Sequence, residues 1–368
     1  MRNIWQIGSG EADRNYSKLF EDFDVMCIGP GDFGDIESNI AKYDESVKAG
    51  LLTKNKRDQL IRFKSNLKSG DIMLLREGYR VVQIGVIPSD ENDSKYFWDS
   101  TFDDVYGWDL QHTRRVIWQA ELKNELDRIQ ETNGLFHSRK QIPAFTAVQD
   151  PTVLDPIRRL FDKIKFRKLK SPPGNMPEEL NLEEIGIGLF EAGLPNDAVD
   201  KVISLIERHR RLVNWYNKYT DKFRPTEHEV VAYLIVPLLL ALGWSEQLIA
   251  IEWLKIDLAA FESTPTSEDN CILLCEAKGK GHGLQNTLEQ AKAYVKDKNL
   301  VKAKKIILTD GIRIYMYERN SREDWSNEPA GYINIMKIRT NHLIPQNTNA
   351  IETLISLTPA GISRNLSK

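Results

Sequence analysis

The chain has 368 residues, of which 41% are hydrophobic and 28% charged, and its formal net charge is -3. That length fits two or three domains, and that composition excludes a chain that is disordered throughout. The slight acidity excludes indiscriminate attraction to nucleic acid as a whole-chain property and leaves only local patches to consider. The longest apolar run, Ala232 to Leu242, is interrupted by Pro237 and falls short of the roughly 20 residues of a membrane span. No basic leader followed by an apolar run opens the sequence, so no membrane partner and a cytoplasmic location are expected. The three cysteines, Cys27, Cys271 and Cys275, have no metal-ligand spacing, and their odd number argues against a disulfide framework.

Up to about Leu122 the sequence reads as mostly β. Strand-like runs fall at Asn3 to Ile7, Asp24 to Ile28, Asp71 to Arg76, Arg80 to Ile87 and Arg114 to Trp118. Gly78 marks a hairpin turn between the third and fourth of these. With one helical insertion near Arg57 to Asn66, these short strands predict a small β-barrel.

Residues 126–224 read as a helical connector. Within it, Ile157 to Lys170 carries Arg158, Arg159, Lys163, Lys165, Arg167, Lys168 and Lys170 against the single acid Asp162. As a helix it would bury Ile157, Leu160, Phe161 and Ile164 and turn its basic side to solvent. Such a face suits phosphate contacts, and it equally suits plain solvation. The prolines of Ser171 to Pro177 cannot continue a helix and mark the best linker. Helices are expected at Glu178 to Glu191 and Ala198 to Tyr219, with Asn196 capping the second.

From 225 to 345 the element types alternate: a helix (Glu227 to Leu242), a strand within Ile249 to Leu258, a strand (Asn270 to Ala277), a helix (Leu284 to Lys296), and a strand pair (Lys305 to Thr309, Arg313 to Glu318) turning at Thr309-Asp310-Gly311. This order predicts an α/β sandwich with a central mixed sheet, followed by a tail at 346–368. In the strand ending Cys275-Glu276-Ala277-Lys278, alternation sends Glu276 and Lys278 to one face and Cys275 and Ala277 to the other, where the cysteines pack in the core. The glycine-rich stretch 279–283 follows as a loop, with His282 an exposed loop residue. Asp257 on the preceding strand adds a second carboxylate, and two such groups can hold Mg²⁺ while leaving room for water and phosphate. Gln290 and Tyr294, four apart on the next helix, share a face. Glu229, three residues after Thr226, completes a capping box, which favours Glu227 over Glu229 as a functional acid on that helix. A solvated charge pair at Glu276 and Lys278, and a solvated face at Gln290 and Tyr294, are the plainer readings.

Ile256-Asp257 followed by Glu276-Ala277-Lys278 resembles the motif of the PD-(D/E)XK nucleases. Thr226-Glu227-His228-Glu229 leading into Pro237 to Trp244 is similar to the start of the nuclease domain in type I restriction subunits, and Gln290 with Tyr294 is similar to the Gln-x-x-x-Tyr element of RecB-like members. Ile256 stands where many members have proline. The resemblance, over roughly 225 to 340, implies a Mg²⁺-dependent endonuclease, with Mn²⁺ as a substitute. It implies Asp257, Glu276 and the Ala277 carbonyl as metal ligands. It further implies that Lys278 activates water and stabilises the transition state, that Gln290 positions the water or the DNA backbone, and that Glu227 is an acid at the edge.

At residues 1–125, Trp5 to Gly10, Val25 to Gly29, Gly70 to Leu75 and Val82 to Ile87 resemble PUA-superfamily barrels of the EVE kind. This implies a reader that accepts a flipped, modified base among aromatics, for which Trp5, Tyr16, Trp98 and Trp108 are the candidates. The fused pair then resembles a modification-dependent restriction endonuclease with an anti-phage role, acting on DNA as a homodimer or by transient pairing. A nuclease-like protein that only binds nucleic acid and an RNA-directed PUA protein remain open.

Overall fold

The computed structural model describes residues 2–11, 14–133, 144–171, 174, 176–220, 224–279, 284, 287–320, 324–326, 328–342, 348–364 and 366. The chain is mixed α/β and divides into two compact units, Met1–Met176 and Pro177–Lys368, the division falling in the proline-rich stretch at 171–177.

The first unit contains β1 (Ile4–Gly8), the short pair β2 (Gly10–Glu11) and β3 (Arg14–Asn15), α1 (Ser17–Phe23), β4 (Val25–Ile28), α2 (Ile40–Lys48) and α3 (Lys54–Ser65). It continues through β5 (Ile72–Glu77), β6 (Arg80–Val86), β7 (Tyr96–Trp98), β8 (His112–Arg115), β9 (Ile117–Trp118), α4 (Lys123–Asn133), β10 (Phe145–Ala147) and α5 (Pro151–Arg158). One sheet runs β10-β1-β5-β6-β9 and another β4-β8-β7. The expected hairpin is β5–β6. The stretch 112–118 serves both sheets: β8 pairs with β4 and β9 with β6, while the Val116 amide donates to the Asp24 carbonyl at 2.9 Å. Neither sheet closes on itself among the described residues, so the expected barrel is replaced here by two sheets sharing one strand stretch.

The basic segment departs from the helix expected for it. Helix α5 stops at Arg158, a single 3-10 turn covers Phe161–Lys163, and residues 164–170 are irregular. Tertiary partners pull this backbone out of helical shape. Lys165 exchanges two hydrogen bonds with the Gln119 side chain (2.8 and 2.9 Å), and Arg167 reaches the wholly buried Asp24 carboxylate at 2.5 and 2.7 Å. The expected inward set still forms: Ile157 and Leu160 are core residues, with Phe161 and Ile164 packed against them.

The second unit holds α6 (Leu182–Glu191), α7 (Asn196–Tyr219), α8 (Glu227–Val230), a π turn (Val231–Ile235), α9 (Val236–Ala241), β11 (Ile249–Trp253), β12 (Ile256–Phe261) and β13 (Cys271–Ala277). After these come α10 (Thr287–Asp297), β14 (Lys305–Thr309), β15 (Arg313–Glu318), β16 (Gly331–Asn334) and α11 (Ala350–Ser356). The sheet order is β11-β12-β13-β14-β15-β16, with β13 and β14 parallel and the other pairs antiparallel. Its parallel pair is joined through α10, the crossover that such a pair requires. On one face, Leu258, Leu273, Cys275, Ala277, Ile307 and Met316 pack against apolar residues of α6, α7, α9 and α11.

Several local expectations change. The single strand within Ile249 to Leu258 is a hairpin of β11 and β12, turning through Leu254 and Lys255 in left-handed conformation (φ 53° and 74°). Pro195, not Asn196, occupies the N-cap of α7. The helix expected over Glu227 to Leu242 widens into the π turn just before Pro237, which has no N–H to offer the carbonyl one turn back. It ends in an αL glycine, Gly243 (φ 98°), and Trp244 donates its indole N–H to the Leu357 carbonyl at 2.7 Å. The tail at 346–368 includes α11, whose Ala350, Ile351, Leu354 and Ile355 are core residues.

Candidate active site

The acidic centre forms where β12 and β13 stop pairing. Their last backbone partners are Leu258 and Cys275; beyond that point the Asp257 carboxylate takes over and accepts the Ala277 amide at 2.7 Å. On the other edge, the Lys278 amide donates to the Thr309 carbonyl of β14 at 2.8 Å. The Ala277 amide therefore points toward β12, and in an extended strand the carbonyl of the same residue leaves on that side too. The Ala277 carbonyl thus faces the Asp257 edge, where the resemblance requires a ligand.

Alternation places Glu276 on the sheet face opposite the Cys275 core, and α10 lies on that face. Gln290, itself exposed, makes a long 3.5 Å contact to Glu276 Oε2 and donates to the Tyr294 hydroxyl at 3.0 Å. Lys278 Nζ reaches Glu227 Oε1 at 3.3 Å across from α8. The helix start is closed by the capping box Thr226/Glu229, and Arg224 binds the Glu229 carboxylate, which holds that carboxyl down to about 2. Glu229 is thereby committed to structure, while Glu227 is turned toward the site.

Glu276 is 1% exposed, and its Oε1 has no hydrogen-bond partner among the described residues. Burial, then the neighbouring Asp257 charge, pushes its carboxyl up to about 8. Burial also raises Asp257, with the Ala277 amide and Lys278 pulling the other way. Two carboxylates that resist ionisation side by side, one with a buried orphan oxygen, are short of positive charge. An oxygen set of Asp257, Glu276 and the Ala277 carbonyl fits a hard divalent cation such as Mg²⁺ or Mn²⁺. No group of three or more His, Cys, Asp or Glu side chains suited to a metal occurs among the described residues, so water and phosphate oxygens would complete such a shell. His282 lies outside the described residues. Cys271 and Cys275 are buried free thiols, as expected of core packing.

In the first unit the four reader candidates have different surroundings. Trp5 belongs to the core: its ring stacks on Phe145 at 5.2 Å and its N–H donates to Asp71 at 3.1 Å. Tyr16 is buried as well. Trp98 and Trp108 are half-buried, Trp98 meeting the His112 ring edge-on at 5.0 Å. Sequence reasoning missed the group around that histidine. Tyr43 and Tyr96 contact its two ring nitrogens at 2.9 and 2.8 Å, and the Tyr96 hydroxyl also donates to Asp35 at 2.7 Å. Burial holds His112 neutral, down to about 4. The aromatic run Tyr96-Phe97-Trp98 was the available signal.

Of the basic segment, Arg158 pairs with Asp155 at 3.2 Å and Lys163 with Glu125 at 2.5 Å, whereas Arg159 and Lys165 are exposed. No helix among the described residues is long and apolar enough to cross a membrane. Residues 5–140 match a family described only as a domain of unknown function (DUF8426). No curated protein and no solved structure matches the chain.

Proposed function

We propose that the second unit hydrolyses DNA phosphodiesters with a divalent cation. The observation that carries this reading is the buried, partnerless oxygen of Glu276 beside Asp257, at a strand end that also presents Lys278. Asp257, Glu276 and the Ala277 carbonyl would hold Mg²⁺, with Mn²⁺ a substitute; the bound ion would supply Lewis acidity and a more acidic water. Lys278 then stabilises the negative charge that grows on the phosphate, and Glu227 keeps its ammonium in place until substrate arrives. Gln290, steadied by Tyr294, orients the carboxylate of Glu276 and the water near it.

The first unit supplies selectivity in this proposal, reading a modified base. The half-buried Trp98, backed by the His112 group, is the better stacking surface, since Trp5 is engaged in the core. Such a protein would serve restriction of foreign DNA, pairing two copies to cut both strands. Incubating the full chain with supercoiled plasmid carrying modified or plain cytosine, with Mg²⁺ or with chelator, tests both parts. Metal-dependent nicking that favours the modified plasmid is expected; no nicking with Mg²⁺ or Mn²⁺ on either plasmid would overturn the hydrolase reading.

A further inference from the structure

We propose that the solvent face of α7 is a binding surface for single-stranded DNA that leads a strand toward the carboxylate site; this rests on the hydrolase reading. Arg208, Arg211, Trp215 and Lys218 fall at i, i+3, i+7 and i+10 and so share one helix face, with Tyr219 beside them. All five are exposed, Trp215 at 44% and Tyr219 at 65%. Their span is roughly 16 Å at about 1.5 Å per residue, enough for several stacked bases.

A helix that packs by its other side has no structural need for two large exposed rings. Cations and aromatics on one face match a single strand, whose phosphates seek charge and whose unstacked bases seek flat faces. The three cations form no ion pair with an acid among the described residues, whereas Lys201, farther back on the same helix, is paired to Asp197 at 3.6 Å. Lys218 lies over the Tyr219 ring at 5.1 Å, a contact that leaves its charge available.

The stripe runs toward the candidate site. Trp215 meets Tyr216 edge-on at 5.3 Å, and Arg224 lies over the Tyr216 ring at 5.8 Å. The same Arg224 binds Glu229 of α8, whose first residue is Glu227, the partner of Lys278. The half-exposed Tyr233, on the π turn that continues α8, extends the aromatic surface.

The test is a fluorescence titration of the full chain with a labelled single-stranded DNA oligonucleotide at several salt concentrations, without divalent cation. Arg208→Gln/Arg211→Gln/Lys218→Gln should weaken binding at least ten-fold and lower the salt slope by roughly two, since each phosphate contact on a single strand contributes about 0.7. Trp215→Ala should weaken binding about ten-fold with the salt slope kept, and Trp215→Phe should restore most of it. Lys201→Gln, at the paired position, should change nothing. Unchanged affinity and slope in the triple variant, with its thermal melt intact, would overturn the proposal, as would preference for single-stranded RNA of the same sequence. Because binding is read without metal, a chain that binds through this stripe yet cuts nothing would refute the hydrolase reading alone.

Discussion

Asp257 Oδ2 lies 2.7 Å from the Ala277 amide nitrogen, so a carboxylate of β12 caps β13 where the backbone pairing of the two strands ends. This contact gives Asp257 a structural task beside its proposed chemical one, and two substitutions separate them. Asp257→Asn keeps an oxygen for the amide and removes the charge, so the fold should persist while Mg²⁺ binding by calorimetry disappears. Asp257→Ala removes both and should cost a further 1–2 kcal/mol, on the order of a lost buried hydrogen bond, in chemical denaturation. Equal stability of the two variants would deny the capping role.

Stability should depend on pH through Glu276. Its folded-state carboxyl lies at about 8, above the ordinary value of 4.5, so the folded chain holds the proton more tightly. The contribution is fully present below about pH 4.5 and is lost as pH rises through about 8. Melting at pH 5 and pH 8.5 should show a fall that Glu276→Gln reduces, raising the melting temperature at the higher pH by about 2–4 °C for each kcal/mol recovered. Mg²⁺ should stabilise wild type more at pH 8.5 than at pH 5, because it competes with that proton. An identical pH profile in the Gln variant would count against the burial argument.

Lys278 and Glu227, 3.3 Å apart, should fail differently. Lys278→Ala removes a charge needed chiefly in the transition state, so single-turnover cleavage should drop by at least about 100-fold with DNA affinity nearly unchanged. Glu227→Gln leaves the ammonium present but less well placed, and about a ten-fold loss is expected. A large loss of affinity in Lys278→Ala would instead make it a ground-state phosphate contact.

The basic segment should prove structural at one end. Arg167→Ala takes the guanidinium from the buried Asp24 carboxylate and leaves it the Lys170 amide, which should cost about 2–3 kcal/mol, whereas Arg159→Gln/Lys165→Gln should stay within about 0.5 kcal/mol of wild type. Denaturant titration of the three proteins checks this order. A salt titration of DNA binding by the Arg159/Lys165 variant shows whether that exposed pair adds phosphate contacts.

What was legible in the sequence was what short-range geometry decides. Strand alternation alone puts Glu276 opposite Cys275, and helical spacing alone pairs Gln290 with Tyr294. The capping box at Thr226 and Glu229 and the β5–β6 hairpin follow from residue types a few positions apart. What depended on distant partners was not legible. The turn at Leu254 and Lys255 carries none of the glycine or asparagine that usually marks left-handed residues, so β11 and β12 read as one strand. The helix expected after Ile157 is undone by Gln119 and Asp24, which lie far away in sequence. Trp5 reads as a stacking surface until Phe145 is seen against it, and the His112 group draws on segments more than 60 residues apart.

The central claim, that the carboxylates of Asp257 and Glu276 support metal-dependent cleavage, is tested most directly by single-turnover cleavage of a labelled DNA duplex. Wild type, Asp257→Asn and Glu276→Gln are compared with Mg²⁺ and with Ca²⁺ at matched DNA occupancy. The account predicts cleavage by wild type with Mg²⁺ only, and bound but intact DNA for both variants. Cleavage by Glu276→Gln at the wild-type rate, or intact DNA with wild type under Mg²⁺ and Mn²⁺ alike, would contradict it.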